Sequence, residues 1–99
     1  MEPEPINSPA TIAALTAAVH AANTDELSAH RVGSIADQQV ARQALWDARH
    51  ALEIAHLENR VAYLSQRATA SGYACDVDDV VDADKRLTIL KAAGSRTRI

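Results

Sequence analysis

The chain's densest set of cation-holding groups is Asp78, Asp79 and Asp82, spelling Asp-Asp-x-x-Asp. Carboxylate oxygens suit a hard cation such as magnesium. A five-residue motif needs a cavity and a second acidic cluster to act on a diphosphate, and neither the length nor the remaining acids supply them. The same segment fails as a calcium loop. Counted from Asp76, the glycine position holds Val81 and the terminal glutamate position holds Leu87. The simpler role of these acids is to complement the dipole at the start of a helix. His20, His30, His50 and His56 contain no His-x-x-x-His pair, and His50 and His56 point about 120° apart on a helical wheel. Cys75 lies in Ser-Gly-Tyr-Ala-Cys-Asp, which carries no nucleophile signature, and Gly33, Gly72 and Gly94 are too scattered for a phosphate loop. No catalytic residue, cofactor or metal is expected, and the reading is not an enzyme.

The most informative polar pattern is basic. Arg42, Arg49, Arg60 and Arg67, with His56 between them, fall within about 40° of one another at 100° per residue. Glu53 interrupts this stripe and stands at i+4 from Arg49. Such a stripe contacts phosphates, pairs with acids on a protein partner, or faces water. The net charge of −3 and the absence of interleaved aromatics favour protein over nucleic acid. The chain also carries its own acidic complement in Asp76–Asp84.

These side chains must be positioned by helices. From Ile35 to about Ser71 there is no Gly or Pro, and strong helix formers run throughout. A helix over roughly 35–70 would be about 55 Å long. It carries two apolar stripes. Ala41, Leu45, Ala48, Leu52 and Ala55 form the first; Ile54, Leu57, Val61, Leu64 and Ala68 form the second, nearly opposite. Each needs a partner. Upstream, Ser8-Pro9 reads as a helix start, followed by Ile12, Leu15, Val19 and Ala22 on one face. Thr24 is a candidate fresh cap, which would divide this helix into two. Gly33 reads as its stop, and Ser34 as the next cap with Asp37 in the first turn. Downstream, Ser71-Gly72 ends the long helix. Asp76 reads as the cap of a final helix over Val77–Ala93, and Gly94 as its stop.

The expected fold is therefore all-α, with three helices, or four if the chain breaks at Thr24. The final helix should fold back antiparallel, setting Val80, Leu87 and Leu90 against Leu57, Val61 and Leu64. The first helix should cover Leu45 and Leu52, or else a second copy must. Residues 8–93 form one helical domain in this reading. An extended acidic tail with Pro3 and Pro5 precedes it at 1–7, and a short basic tail follows at 94–99.

Composition agrees. Alanine fills 21 of 99 positions, Phe is absent, and Trp46, Tyr63 and Tyr73 are the only aromatics, so buried area per residue is low. That composition excludes most β architectures, and one cysteine excludes a disulfide scaffold. No apolar run is long enough for a membrane span, and Met1-Glu-Pro-Glu-Pro is no secretory signal. A cytoplasmic address, or a place inside an assembly built there, is the expectation. The length and single central tryptophan are similar to those of the WXG100 helical hairpins. Trp46-Asp47-Ala48 lacks the glycine of their turn, however, and Tyr63 and Tyr73 are followed four residues later by Arg67 and Val77 rather than an acid. Membership is not inferred. The expected role is a helical assembly or adaptor protein, homo-oligomeric or part of a phage-like or other multi-subunit structure. A small nucleic-acid-binding or regulatory protein using the Arg stripe is the second reading.

Overall fold

The computed structural model describes residues 6–94. It contains three helices and, among the described residues, no strand: α1 (Pro9–Val32), α2 (Ile35–Ser71) and α3 (Ala74–Ala93). Ser8 caps α1 by accepting from the Thr11 N–H, with Pro9 at the first turn. Ser34 and Asp37 form a reciprocal capping box at the start of α2. Gly72 closes α2 in the left-handed conformation at φ 71°.

The covered positions of each helix repeat every three and four residues. On α3 they are Asp76, Val80, Ala83, Leu87 and Leu90 and no others. On α1, Ile12, Leu15, Val19, Ala22, Glu26 and Ala29 follow the same rhythm. This is the spacing that keeps a seam facing one neighbour. On α2 two such seams coexist. Gln38, Ala41, Leu45, Ala48, Leu52, Ala55 and Asn59 face α1; His50, Ile54, Leu57, Val61, Leu64 and Ala68 face α3. They are offset by two residues, about 200° around the helix. Accordingly α1 and α3 each pack on α2 and not on each other.

Both apolar stripes are thus covered within one chain. An oligomer is not required on that ground. The stripes also fade where their partners stop: the α3-facing register holds Gln43 and Asp47 upstream of His50, and the α1-facing register holds Gln66 and Thr69 downstream of Asn59.

The result is a slab, 57 × 28 × 14 Å between Cα extremes, with a radius of gyration of 17.2 Å. A compact domain of this length would have about 13 Å. The slab is one helix thick. Only Ala22, Leu45, Ala55, Leu64, Ala83 and Leu87 are buried apolar residues among those described.

Two expectations are corrected. Thr24 caps nothing: α1 is continuous, and the Thr24 hydroxyl donates back to the His20 carbonyl. Asp76 does not cap α3. Tyr73 is its N-cap residue, because the Gly72 reversal lets the helix restart at once, and Asp76 lies inside the first turn, buried. There it accepts from the Ser71 hydroxyl and pairs with Arg67, tying α3 to the end of α2. A carboxylate in a seam position needs such partners.

Of the tail read at 1–7, the structure describes only Ile6 and Asn7. Pro3 and Pro5, like the basic tail from Ser95, lie outside the described residues. Asn7, however, is half-buried and bound to α2. Its N–H donates to Asn59 Oδ1 at 2.8 Å, Asn59 Nδ2 returns a bond to its carbonyl at 3.0 Å, and its own amide donates to the Ala55 carbonyl at 3.0 Å. Asn7 therefore clamps the open end of the α1–α2 pair. Asn7→Ala is expected to lower stability by about 1–2 kcal/mol, since it strands part-buried acceptors on α2. Urea unfolding checks this.

Candidate interaction face

Between its two seams α2 exposes two sides of unequal width. The narrow side carries Ala44, Ala51, Glu58 and Ser65. Glu58 lies beside both flanking elements, 3.4 Å from Asn7 Nδ2 and 3.6 Å from Lys91 Nζ. The broad side carries a third stripe at the same three-four spacing: Gln39, Arg42, Trp46, Arg49, Glu53, His56, Arg60, Tyr63 and Arg67. It contains the whole basic stripe expected from the sequence, together with Trp46 and Tyr63. Trp46 stands between Arg42 and Arg49 and Tyr63 between Arg60 and Arg67, so aromatics do interleave with the stripe, against the expectation from the sequence; a pattern defined by like charge alone passes over them.

The structure divides the arginines by role. Arg42 Nε lies 3.5 Å from Glu26 Oε1 on α1, and its Nη2 lies 3.4 Å from His30 Nε2. Arg67 Nε lies 3.6 Å from Asp76 Oδ1 on α3. The two end arginines thus brace the flanking helices. Such partly exposed pairs add little stability each, about 0–1 kcal/mol. In the middle, Arg49 and Arg60 are exposed and have no acidic partner among the described residues, and neither does Glu53 a basic one. The free stripe is therefore Arg49, Glu53, His56 and Arg60, shorter than the four-arginine stripe expected.

Two concavities open on this side. A groove of about 720 Å³ runs between α2 and α3, with Trp46, Arg49 and Glu53 on one wall and Arg86, Ile89 and Leu90 on the other. A shallower one of about 360 Å³ lies on α2 itself, between Arg49, Leu52, His56, Leu57 and Arg60. Ile89 at 68% and Tyr63 at 60% exposure leave large apolar surface beside these charges. His50 helps shape the groove: its Nε2 lies 2.8 Å from the Leu90 carbonyl, fixing the end of α3 on α2.

The packing residues expected from the sequence occupy the seams. Leu45, Leu64 and Leu87 are buried; Leu52, Leu57, Val61, Val80 and Leu90 are half-buried. Asp78, Asp79 and Asp82 are exposed on α3, and no cluster of three metal-binding side chains exists among the described residues. No described helix is long and apolar enough to cross a membrane. No protein family, curated protein or solved structure matches the chain.

Proposed function

We propose that this protein is a non-enzymatic assembly module that acts by packing the broad side of its helical slab against protein. The observation that carries this reading is the slab's thickness of 14 Å. Domains are ordinarily built from at least two packed layers, because one layer leaves both sides of every element facing water. Here one side gathers Trp46, Tyr63, Leu57 and Ile89 among arginines. Aromatic residues and Arg are the types enriched at protein interfaces. A structural component of a multi-subunit assembly, of the phage-like kind, fits the small size and the two-sided layer.

Trp46 is the only tryptophan and lines the groove on that side, so its fluorescence tests the reading. If copies or partners cover the broad side, acrylamide quenching of Trp46 rises as the pure protein is diluted from about 1 mM to about 0.1 μM, because mass action dissociates the assembly. Quenching independent of concentration overturns self-assembly through this side.

A second reading is supported by one specific observation: Arg49, Arg60 and Arg86 carry no acidic partner among the described residues. Three unpaired guanidinium groups on one side are able to bind phosphates. Glu53 in their midst and the net charge of −3 oppose it. Retardation of duplex DNA by the monomeric protein at physiological salt, lost in Arg49→Gln/Arg60→Gln, would establish this second function instead.

A further inference from the structure

The third stripe of α2 is complementary to itself when turned end for end. Take His56 as the centre. Glu53 stands three residues before it and Arg60 four after; Arg49 stands seven before and Tyr63 seven after; Trp46 stands ten before and Arg67 eleven after. Reversal about His56 therefore brings each position to within about one residue, or 1.5 Å of rise, of a chemically matched one. Glu53 meets Arg60, and the pair occurs twice by symmetry. Arg49 meets Tyr63 and Arg67 meets Trp46, where a guanidinium plane stacks on an aromatic ring. Arg67 keeps 58% of its side chain exposed despite its pairing with Asp76. A parallel arrangement does the opposite: it sets Glu53 on Glu53, Arg49 on Arg49 and Arg60 on Arg60.

From this pattern we infer that the protein forms a two-fold antiparallel homodimer, with the broad side of α2 packed on the same side of a second copy and each Glu53 paired with the partner's Arg60. The inference rests on the assembly reading and deepens it by naming the occupant. A two-fold interface uses one patch twice, so the patch must complement itself. That Glu53, Arg49 and Arg60 have no oppositely charged partner among the described residues is what such an interface would leave in one protomer. From Trp46 to Arg67 the matched stripe runs about 31 Å along α2. The product is a six-helix body two layers thick, the arrangement a single slab lacks.

The test is sedimentation equilibrium of the full chain as wild type, Glu53→Arg, Arg60→Glu and the double exchange. Glu53 and Arg60 are both exposed, so circular dichroism should show all four folded alike. Each single exchange opposes like charges twice and is expected to raise the dimer dissociation constant at least about tenfold. The double exchange restores the opposite-charge pair and is expected to return it to within about threefold of wild type. Single variants that dimerise like wild type, or a double exchange no better than either single, overturn the inference. If wild type associates in those cases, only the antiparallel register falls. If wild type stays monomeric at every concentration, this inference and the self-assembly reading fall together. Association that appears only with duplex DNA overturns it in favour of a nucleic-acid partner.

Discussion

Leu45→Ala is expected to lower the unfolding free energy by about 2–5 kcal/mol, the range for a buried leucine whose cavity does not collapse. Leu45 is the most buried apolar residue described, at 2% exposure. Its seam neighbours on α2 are Ala41 and Ala48, whose methyl groups are too short to fill the space it would leave. A domain of this length commonly has about 5–15 kcal/mol of stability in all. With so few buried apolar side chains in the slab, one leucine is a large share of that total. Leu64, at 6% exposure, does the same work on the α3 side, and Leu64→Ala should fall in the same range. Urea unfolding followed by circular dichroism measures both. A change below about 0.5 kcal/mol, the size of an ordinary surface substitution, would show that the seams are not the core.

Gly33→Ala is the second large effect, with an expected loss of about 1–3 kcal/mol. Left-handed backbone is not the reason, because Gly33 sits at φ −90°, which any residue adopts. The reason is space. A Cβ built on Gly33 would lie 2.7 Å from the Ala29 carbonyl oxygen and 3.0 Å from Asp37 Cβ. Both neighbours are fixed: the Ala29 carbonyl accepts the Gly33 N–H at 2.8 Å, and Asp37 belongs to the capping box. Relieving the clash must open the corner between α1 and α2. Gly72→Ala provides the contrast. Nothing lies within 4 Å of its Cβ position, but φ is +71°, so its cost is conformational alone, about 1 kcal/mol. Thermal melts of the two variants separate the mechanisms by order: Gly33→Ala should melt lower. The reverse order would mean that the corner yields.

The helices and seams are legible in the sequence because they depend on local chemistry. The run from Ile35 to Ser71 lacks any breaker, and the spacing of Leu45, Leu52, Leu57 and Leu64 fixes which sides of α2 are covered. What the spacing does not disclose is tertiary. Asn7 lies in a stretch whose prolines and acids suggest solvent, yet its amide finds acceptors on α2 more than forty residues away, a pairing that no local pattern encodes. Asp76 has the side chain of a cap and the register of a core position, and the register prevails because Ser71 and Arg67 are placed to satisfy it. The arginines are legible as a stripe but not as a site. Wheel angles place Arg42 and Arg67 beside Arg49 and Arg60; only the neighbouring helices decide that the outer two are engaged and the inner two are not. The proposed partner of the broad side rests on the alternation of Glu53 with its flanking arginines. That alternation becomes informative once α1 and α3 are known to leave this side open.

A layer 14 Å thick is expected not to act alone. The most direct test is the molar mass of the purified chain by light scattering, across a concentration series at physiological salt. The expected mass rises with concentration toward twice the chain's 10.6 kDa. A mass of 10.6 kDa held unchanged up to about 1 mM would contradict self-assembly, since a dissociation constant above about 1 mM corresponds to less than about 4 kcal/mol of binding, too little to hold a specific interface together.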